Sequence, residues 1–369
     1  MMKLGFGLMR LPVLDGDQTK IDLERVTEMV DAFLAAGGTY FDTAYPYHGG
    51  FSERALRETV VKRYPRDRFT VTDKMPISMV EREEQLEEIF SEQLERCGVD
   101  YFDYYWLHAL SSRNYDNAQK FQAFDFIQKK RAQGKIRHIG FSFHDSPQML
   151  DRILTDHPEA EYVQLQINYL DWEDPVVQAR ECYEVATRHG KPIIVMEPVK
   201  GGALATLPEG AKAILTQKDP GSSMASWAVR YAASLENVMM VLSGMSTLEQ
   251  VQDNLSYMKD FRPLDEGERE ALDQAVTAIR TGIAIACTAC RYCVTENECP
   301  KNIAIPDYFA LYNDIRRFKT SGAGARYQSL ASTHGKASEC IGCGKCEKHC
   351  PQHLPIRQYL KDVAAACEK

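Results

Sequence analysis

From Lys3 to about Ser243 the chain alternates between two hydrophobic rhythms. Short apolar runs rich in Val, Ile, Phe and Tyr lie at Lys3–Leu8, Tyr40–Ala44, Phe69–Lys74, Tyr101–His108, Ile136–Ser142, Tyr162–Asn168, Pro192–Pro198 and Val238–Ser243, and they read as strands. Between them, apolar positions return every three or four residues over Asp22–Ala36, Glu81–Cys97 and Asp174–Arg188, the rhythm of a helix with one buried face. A strand followed each time by a crossover helix implies parallel pairing. Eight such units in about 250 residues predict an α/β fold, a closed (β/α)8 TIM barrel, over residues 1–262. A doubly wound open sheet would want a glycine-rich strand-to-helix turn early in the chain. Gly5-Phe6-Gly7-Leu8-Met9-Arg10 lacks the third glycine, and no helical pattern begins before about Asp22. The barrel pattern stops near Arg262-Pro263, where Asp265 and Glu268 form a capping pair for one more helix to about Thr281. A small helical module completes the chain over 263–369, with a helix predicted at Asp307–Lys319 and a flexible loop at Ser321-Gly322-Ala323-Gly324-Ala325.

The cysteines change the picture of that module. Cys340, Cys343, Cys346 and Cys350 with Pro351 read C-x2-C-x2-C-x3-C-P, a spacing that lets thiolates wrap a [4Fe–4S] cluster. Cys287, Cys290, Cys293 and Cys299 with Pro300 repeat it, except that five residues precede the last Cys. The tails also match, Cys299-Pro-Lys-Asn-Ile-Ala-Ile against Cys350-Pro-Gln-His-Leu-Pro-Ile. Structural zinc takes two separated C-x2-C pairs, so clusters are favoured over zinc. The module resembles a two-cluster ferredoxin. That resemblance implies two [4Fe–4S] clusters and a crossed ligand set: Cys350 with Cys287, Cys290 and Cys293, and Cys299 with Cys340, Cys343 and Cys346.

Composition adds exclusions. The chain has 369 residues, is 44% hydrophobic and 26% charged, and carries a net charge of −8, which argues against a general nucleic-acid binder. No apolar run approaches the roughly 18 residues of a membrane span, and the first dozen residues lack the apolar stretch of a signal peptide. Cys97, Cys182 and Cys367 stand outside the repeats and read as free thiols. With oxygen-sensitive clusters, they point to a reducing cytoplasm.

Barrel enzymes do their chemistry at the C-terminal ends of the strands. Polar residues gather there: Asp42, Lys74, His108, Ser142, and Gln164, Gln166 and Asn168 on one face of the sixth strand. A Lys and an Asp on neighbouring strands can pair, which offsets the cost of burying either. Phe41-Asp42-Thr43-Ala44-Tyr45-Pro46-Tyr47 followed by Ser52-Glu53, Lys74 after the third strand, His108 after Tyr105-Trp106-Leu107, Gly140-Phe141-Ser142 and the stretch Gly244–Asn254 together resemble the aldo-keto reductases. The resemblance runs over Lys3 to Tyr257.

It implies an oxidoreductase that reduces an aldehyde or ketone, or oxidises the alcohol, with NAD(H) or NADP(H). Tyr47 would donate the proton, its pKa of roughly 10 lowered by Lys74. Asp42 would hold Lys74, and His108 would orient the carbonyl. Tyr45 and His48 are neighbours in the same loop, and the spacing of five from Asp42 selects Tyr47. Ser142 and Gln164 match positions that hold the nicotinamide carboxamide; Phe143 stands where Asn is usual, leaving Asn168 or His144 to substitute. Gly201 and Gly202 would admit the pyrophosphate. After the last strand, the cation, serine and arginine that grip a 2′-phosphate in NADP-using members fall on Gly244, Met245 and Gln250, which favours NAD(H), with Asp253 and Asn254 left to meet the adenine and Ser246 or Arg262 as partial compensation. His138 and Trp106 read as barrel filling. A nicotinamide moves two electrons as hydride and a cluster moves one, so the clusters would serve a redox partner such as a ferredoxin or flavoprotein. The alternative is an electron-transfer protein or cluster-fed redox enzyme whose barrel uses no nicotinamide.

Overall fold

The computed structural model describes residues 2–174, 177–280, 284–295, 299–318 and 323–368. The chain forms two compact units. The first comprises Met1–Glu173, Gln178–Pro198 and Ala225–Leu264, and the second comprises Asp174–Val177, Val199–Met224 and Asp265–Lys369.

Eight parallel strands close into a barrel in chain order: β1 (Leu4–Gly7), β2 (Tyr40–Asp42), β3 (Thr70–Met75), β4 (Phe102–Leu110), β5 (Ile136–Phe143), β6 (Tyr162–Gln166), β7 (Ile193–Met196) and β8 (Val238–Gly244). The (β/α)8 architecture expected from the hydrophobic rhythm is present. Alternation along the strands decides what fills it. Tyr40, Trp106, Ile194, Met240 and Leu242 form one buried cluster. Gly140 makes room for it: a Cβ there would stand 2.3 Å from the Tyr162 carbonyl oxygen and 2.8 Å from the Trp106 ring. The opposite strand positions face the helices. Phe6, Phe33 and Phe41 meet there with ring centroids 5.5–5.9 Å apart.

Local signals set the helix ends. Asp22 caps Leu23–Ala35 by accepting from the Arg25 N–H. The helix Glu84–Cys97 ends on Gly98 at φ +70°, a conformation natural to glycine. The helix expected over Asp174–Arg188 occupies Ala179–Arg188, while residues 175 and 176 lie outside the described residues.

The second unit is helical. Asp265 and Glu268 cap Glu266–Arg280 reciprocally, each side chain accepting from the other's backbone N–H at 2.7–2.9 Å. Thr281, where that helix was expected to end, lies outside the described residues. Helices Ile305–Phe318 and Ile356–Cys367 begin at the same offset after the last Cys of each repeat. Tyr308, Phe309, Tyr327, Ile356, Leu360 and Val363 form the core. The sequence predicted a loop over 321–325. Residues 321 and 322 lie outside the described residues, and a helix spans Ala323–Ala331; alanine-rich sequence favours helix enough to absorb one glycine.

Candidate active site and cysteine cavities

At the C-terminal mouth of the barrel, the β2–β3 register places Asp42 opposite Thr72, one inward position before Lys74. Lys74 Nζ donates to Asp42 Oδ1 at 2.5 Å and to the Thr43 carbonyl at 2.6 Å. Both side chains are buried, so each charge depends on the other. The Tyr47 ring lies over this pair, its centroid 5.0 Å from Lys74 Nζ. The His108 ring meets Tyr47 edge-on at 5.8 Å. Tyr45 points elsewhere: its hydroxyl donates to Glu92 at 2.8 Å and Arg96 stacks on its ring.

The loop bearing Tyr47 is pinned. His48 is buried at φ +53°; its Nε2 accepts from Leu11 N at 3.2 Å, which leaves Nδ1–H to donate to the Gln18 carbonyl at 3.0 Å. The sequence offered no reason to see His48 as an anchor, because both partners are backbone groups more than 29 residues away.

Burial governs the electrostatics. It pushes the Tyr47 phenol above its ordinary value, with Lys74 pulling the other way. The expected lowering by Lys74 is therefore outweighed. Burial pushes the Asp42 carboxyl up against the opposing pull of Lys74. Lys74 itself stays charged: burial acts to lower it, and Asp42 and Tyr47 together raise it. His108 lies well below the usual histidine range, from burial first and the Lys74 charge second, so its imidazole is neutral at neutral pH.

The positions expected to hold a cofactor fare differently. Ser142 and Gln164 stand opposite each other on β5 and β6. Ser142 Oγ accepts from Ala109 N at 2.7 Å. Gln164 Nε2 approaches Asp42 Oδ2 at 3.5 Å, and its buried Oε1 has no hydrogen-bond partner among the described residues. Asn168 is committed to its own loop: its amide donates to Asp171 and the Glu197 carbonyl, and its oxygen accepts from Leu170 N and Asp171 N. Asn254 is buried, donating to Ser243 Oγ at 2.7 Å and accepting from Tyr257. Gln250 Oε1 accepts from Ser246 N at 2.7 Å, and Asp253 follows it on the same helix, Leu248–Met258. Gly201 and Gly202 belong to the second unit and take φ values of +63° and +96°.

Behind Lys74, on the helix-facing side of β3, lies a group the sequence did not announce. Donor atoms of Glu53, Asp73 and Cys97 fall within 4.8 Å of one another, all buried. Arg96 binds Glu53 at 3.0 Å, and Asp73 accepts from Lys74 N at 2.8 Å. Burial pushes both carboxyls up. Glu53 Oε1 meets no N–H or O–H donor among the described residues; as a carboxylic acid it becomes a donor toward Asp73.

In the second unit, Cys287, Cys290, Cys293 and Cys350 line one cavity of about 290 Å³, counting space open to solvent. Cys299, Cys340, Cys343 and Cys346 line another of about 350 Å³. Each cavity thus takes three cysteines from one repeat and the last from the other. None of these thiols is in a disulfide.

Comparison with known proteins identifies the family and the fold. The model of the aldo/keto reductase family matches residues 3–277. The chain belongs to that family. A second model, the 4Fe-4S dicluster domain, matches residues 286–354. An aldo-keto reductase of Mycobacterium avium (strain 104) is 26% identical over 265 residues, covering 72% of this chain and 86% of its own. An L-galactose dehydrogenase of Arabidopsis thaliana is 24% identical over 279 residues, covering 71% and 85%. Among solved structures, the holo form of an aldo-keto reductase from Bacillus halodurans superposes with a TM-score of 0.59 at 22% identity, over 74% of this chain and 91% of that one. An aldo-keto reductase from Klebsiella pneumoniae in complex with NADPH gives 0.59 at 20% identity, over 74% and 90%. The protein is thus an aldo/keto reductase-family oxidoreductase carrying a 4Fe-4S domain. Among the described residues, no helix is long and apolar enough to cross a membrane.

Proposed function

We propose that the barrel reduces an aldehyde or ketone, or oxidises the corresponding alcohol, with a nicotinamide dinucleotide, while the cysteine module holds two [4Fe–4S] clusters. The observation that carries the reading is the buried Lys74–Asp42 pair under the Tyr47 ring and beside His108. A bound nicotinamide supplies or accepts the hydride. Tyr47 gives its proton to the carbonyl oxygen, and the Lys74 ammonium stabilises the phenolate left behind. Asp42 and the Thr43 carbonyl keep that ammonium aimed. The neutral imidazole of His108 offers an N–H, not a charge, to the oxygen on which negative charge develops.

The residues present fit a carboxamide. Gln164 Oε1 is a buried acceptor awaiting a donor, and Ser142 Oγ, already accepting, keeps its hydrogen to give. The NADPH of the Klebsiella pneumoniae protein supports a nicotinamide here. NADH is the better fit of the two, because residues 244, 245 and 250 offer a 2′-phosphate no cation.

The crossed lining of the two cavities supports one four-iron cube in each. Held by those cysteines, the clusters would supply one-electron transfer to or from a partner, such as a ferredoxin or flavoprotein, in a reducing cytoplasm. An anaerobic titration of the iron-loaded protein with NADH and NADPH, following nicotinamide absorbance and cluster bleaching together, tests the whole reading. Saturable NADH binding and aldehyde-dependent NADH oxidation are expected. Binding of neither nucleotide would return the barrel to a cluster-fed role without nicotinamide.

A further inference from the structure

β7 and β8 lie between β6 and the helix after β8 in the barrel, so a dinucleotide held by Ser142 and Gln164 at one end and by that helix at the other would pass its diphosphate over their ends. The loop after β8 has no cation at residues 244, 245 or 250 to meet it. The fold brings one from the start of the chain. β1 pairs with β8, Gly7 opposite Gly244, and the turn Leu8–Arg10 lays the Arg10 stem along the end of β8. The absence of a side chain at Gly244 permits this, since a Cβ there would stand 3.2–3.3 Å from Arg10 Cβ, Cγ and Cδ. Ser246 Oγ donates to the Arg10 carbonyl at 2.6 Å, and Gln250 holds the Ser246 N–H. Gln250 thus fixes the turn that presents a cation instead of supplying one.

From β8 the guanidinium reaches back to β7. Its Nη2 lies 3.8 Å from Glu197 Oε1, an ion pair too long for a hydrogen bond. That Nη2 is shielded from solvent and has no hydrogen-bond partner among the described residues. Glu197 sits at φ +57°, a left-handed conformation that costs a non-glycine residue about 1 kcal/mol and clusters at functional sites. The Arg10 side chain is 32% exposed, open enough to be reached. We propose that Arg10 binds the diphosphate of the nicotinamide dinucleotide, with Glu197 as the loosely held counter-ion that the phosphate displaces. The proposal rests on the nicotinamide reading above. A guanidinium fork matches two phosphate oxygens better than one distant carboxylate oxygen. NADH and NADPH share the diphosphate, so Arg10 strengthens both alike and leaves their order to the loop after β8.

The test is the dissociation constant of NADH and of NADPH, measured anaerobically on the iron-loaded protein, for the wild type, Arg10→Met, Arg10→Lys and Glu197→Gln, each with its thermal midpoint. Arg10→Met is expected to weaken both nucleotides by the same factor, about ten-fold or more, the scale of a lost charge-assisted hydrogen bond. Arg10→Lys should fall between. Glu197→Gln keeps Arg10 in place and should tighten both a few-fold, so it carries the test if Arg10→Met does not fold. Unchanged binding in Arg10→Met, or unchanged or weaker binding in Glu197→Gln, overturns the proposal. So does weakening of NADPH alone, which would put the 2′-phosphate on Arg10. If the wild type binds neither nucleotide, the nicotinamide reading falls and this proposal with it; if it binds and the variants match it, only this proposal falls.

Discussion

The barrel and the cysteine module organise their sites in opposite ways. In the barrel, Lys74, Asp42, Tyr47 and His108 sit on a scaffold whose core is made of other residues, Trp106, Tyr40, Met240 and the phenylalanines among them. In the module, Cys293, Cys346 and Cys350 are themselves core residues, packed with Tyr308, Phe309 and Ile356. One site is mounted on a fold and the other is part of it. Small domains have little core of their own to spare, so the module should depend on its metal and the barrel should not.

Iron removal breaks the comparison most directly. Chelation under anaerobic reducing conditions should make the region beyond Asp265 protease-sensitive and lower helical circular dichroism, while the barrel's thermal transition stays in place. The loaded protein should contain about eight irons per chain, and Cys346→Ala about four. Stoichiometric zinc, or a barrel that melts with the metal, would sink the distinction. Tyr47→Phe probes the other side. It should reduce carbonyl turnover by about two orders of magnitude with nucleotide binding and thermal midpoint unchanged, because Tyr47 rests on the scaffold without building it. Lys74→Met should lose similar activity. It should also lose stability, by about 3 kcal/mol, because Asp42 is left buried and unpaired. Turnover at the wild-type rate in Tyr47→Phe refutes the assignment.

What the sequence disclosed follows the same divide. The barrel's rhythm is legible because each strand and helix buries one face, and the cysteine repeats are legible because both copies carry the C-x2-C-x2-C run and a closing Cys-Pro. Asp42, Lys74 and His108 were legible as polar residues at strand ends. The supports were not. His48 is held by backbone groups of Leu11 and Gln18. Gln93, which donates to the Lys74 carbonyl at 3.0 Å, reads as one more polar residue in an acidic helix. Arg10 matters only because a closed barrel sets β1 beside β8. Tyr47 shows the same limit: the lowering pull of Lys74 can be read from a sequence, but the burial that outweighs it cannot.

The smallest effect sharpens the comparison from within the barrel. Glu53 and Asp73 stand behind Lys74, outside the proposed chemistry, and burial raises the pKa of both carboxyls. In the unfolded chain these groups ionise near pH 4. In the folded barrel, Glu53 keeps its proton and shares it with Asp73. Above pH 4 the native state therefore binds more protons than the unfolded state, and stability must fall as pH rises toward the raised native value. Glu53→Gln removes the titrating proton but keeps an acceptor for Arg96 and a donor for Asp73. The barrel of the wild type should lose about 1–2 kcal/mol per pH unit between pH 5 and pH 8 from this pair, the slope of one bound proton, read as a falling urea midpoint for its transition. Glu53→Gln should flatten that slope while leaving carbonyl turnover near the wild-type level at a fixed pH. Equal slopes in the two proteins would mean that Glu53 is ionised in the folded state, held by Arg96 alone, and that no proton is shared behind the catalytic lysine.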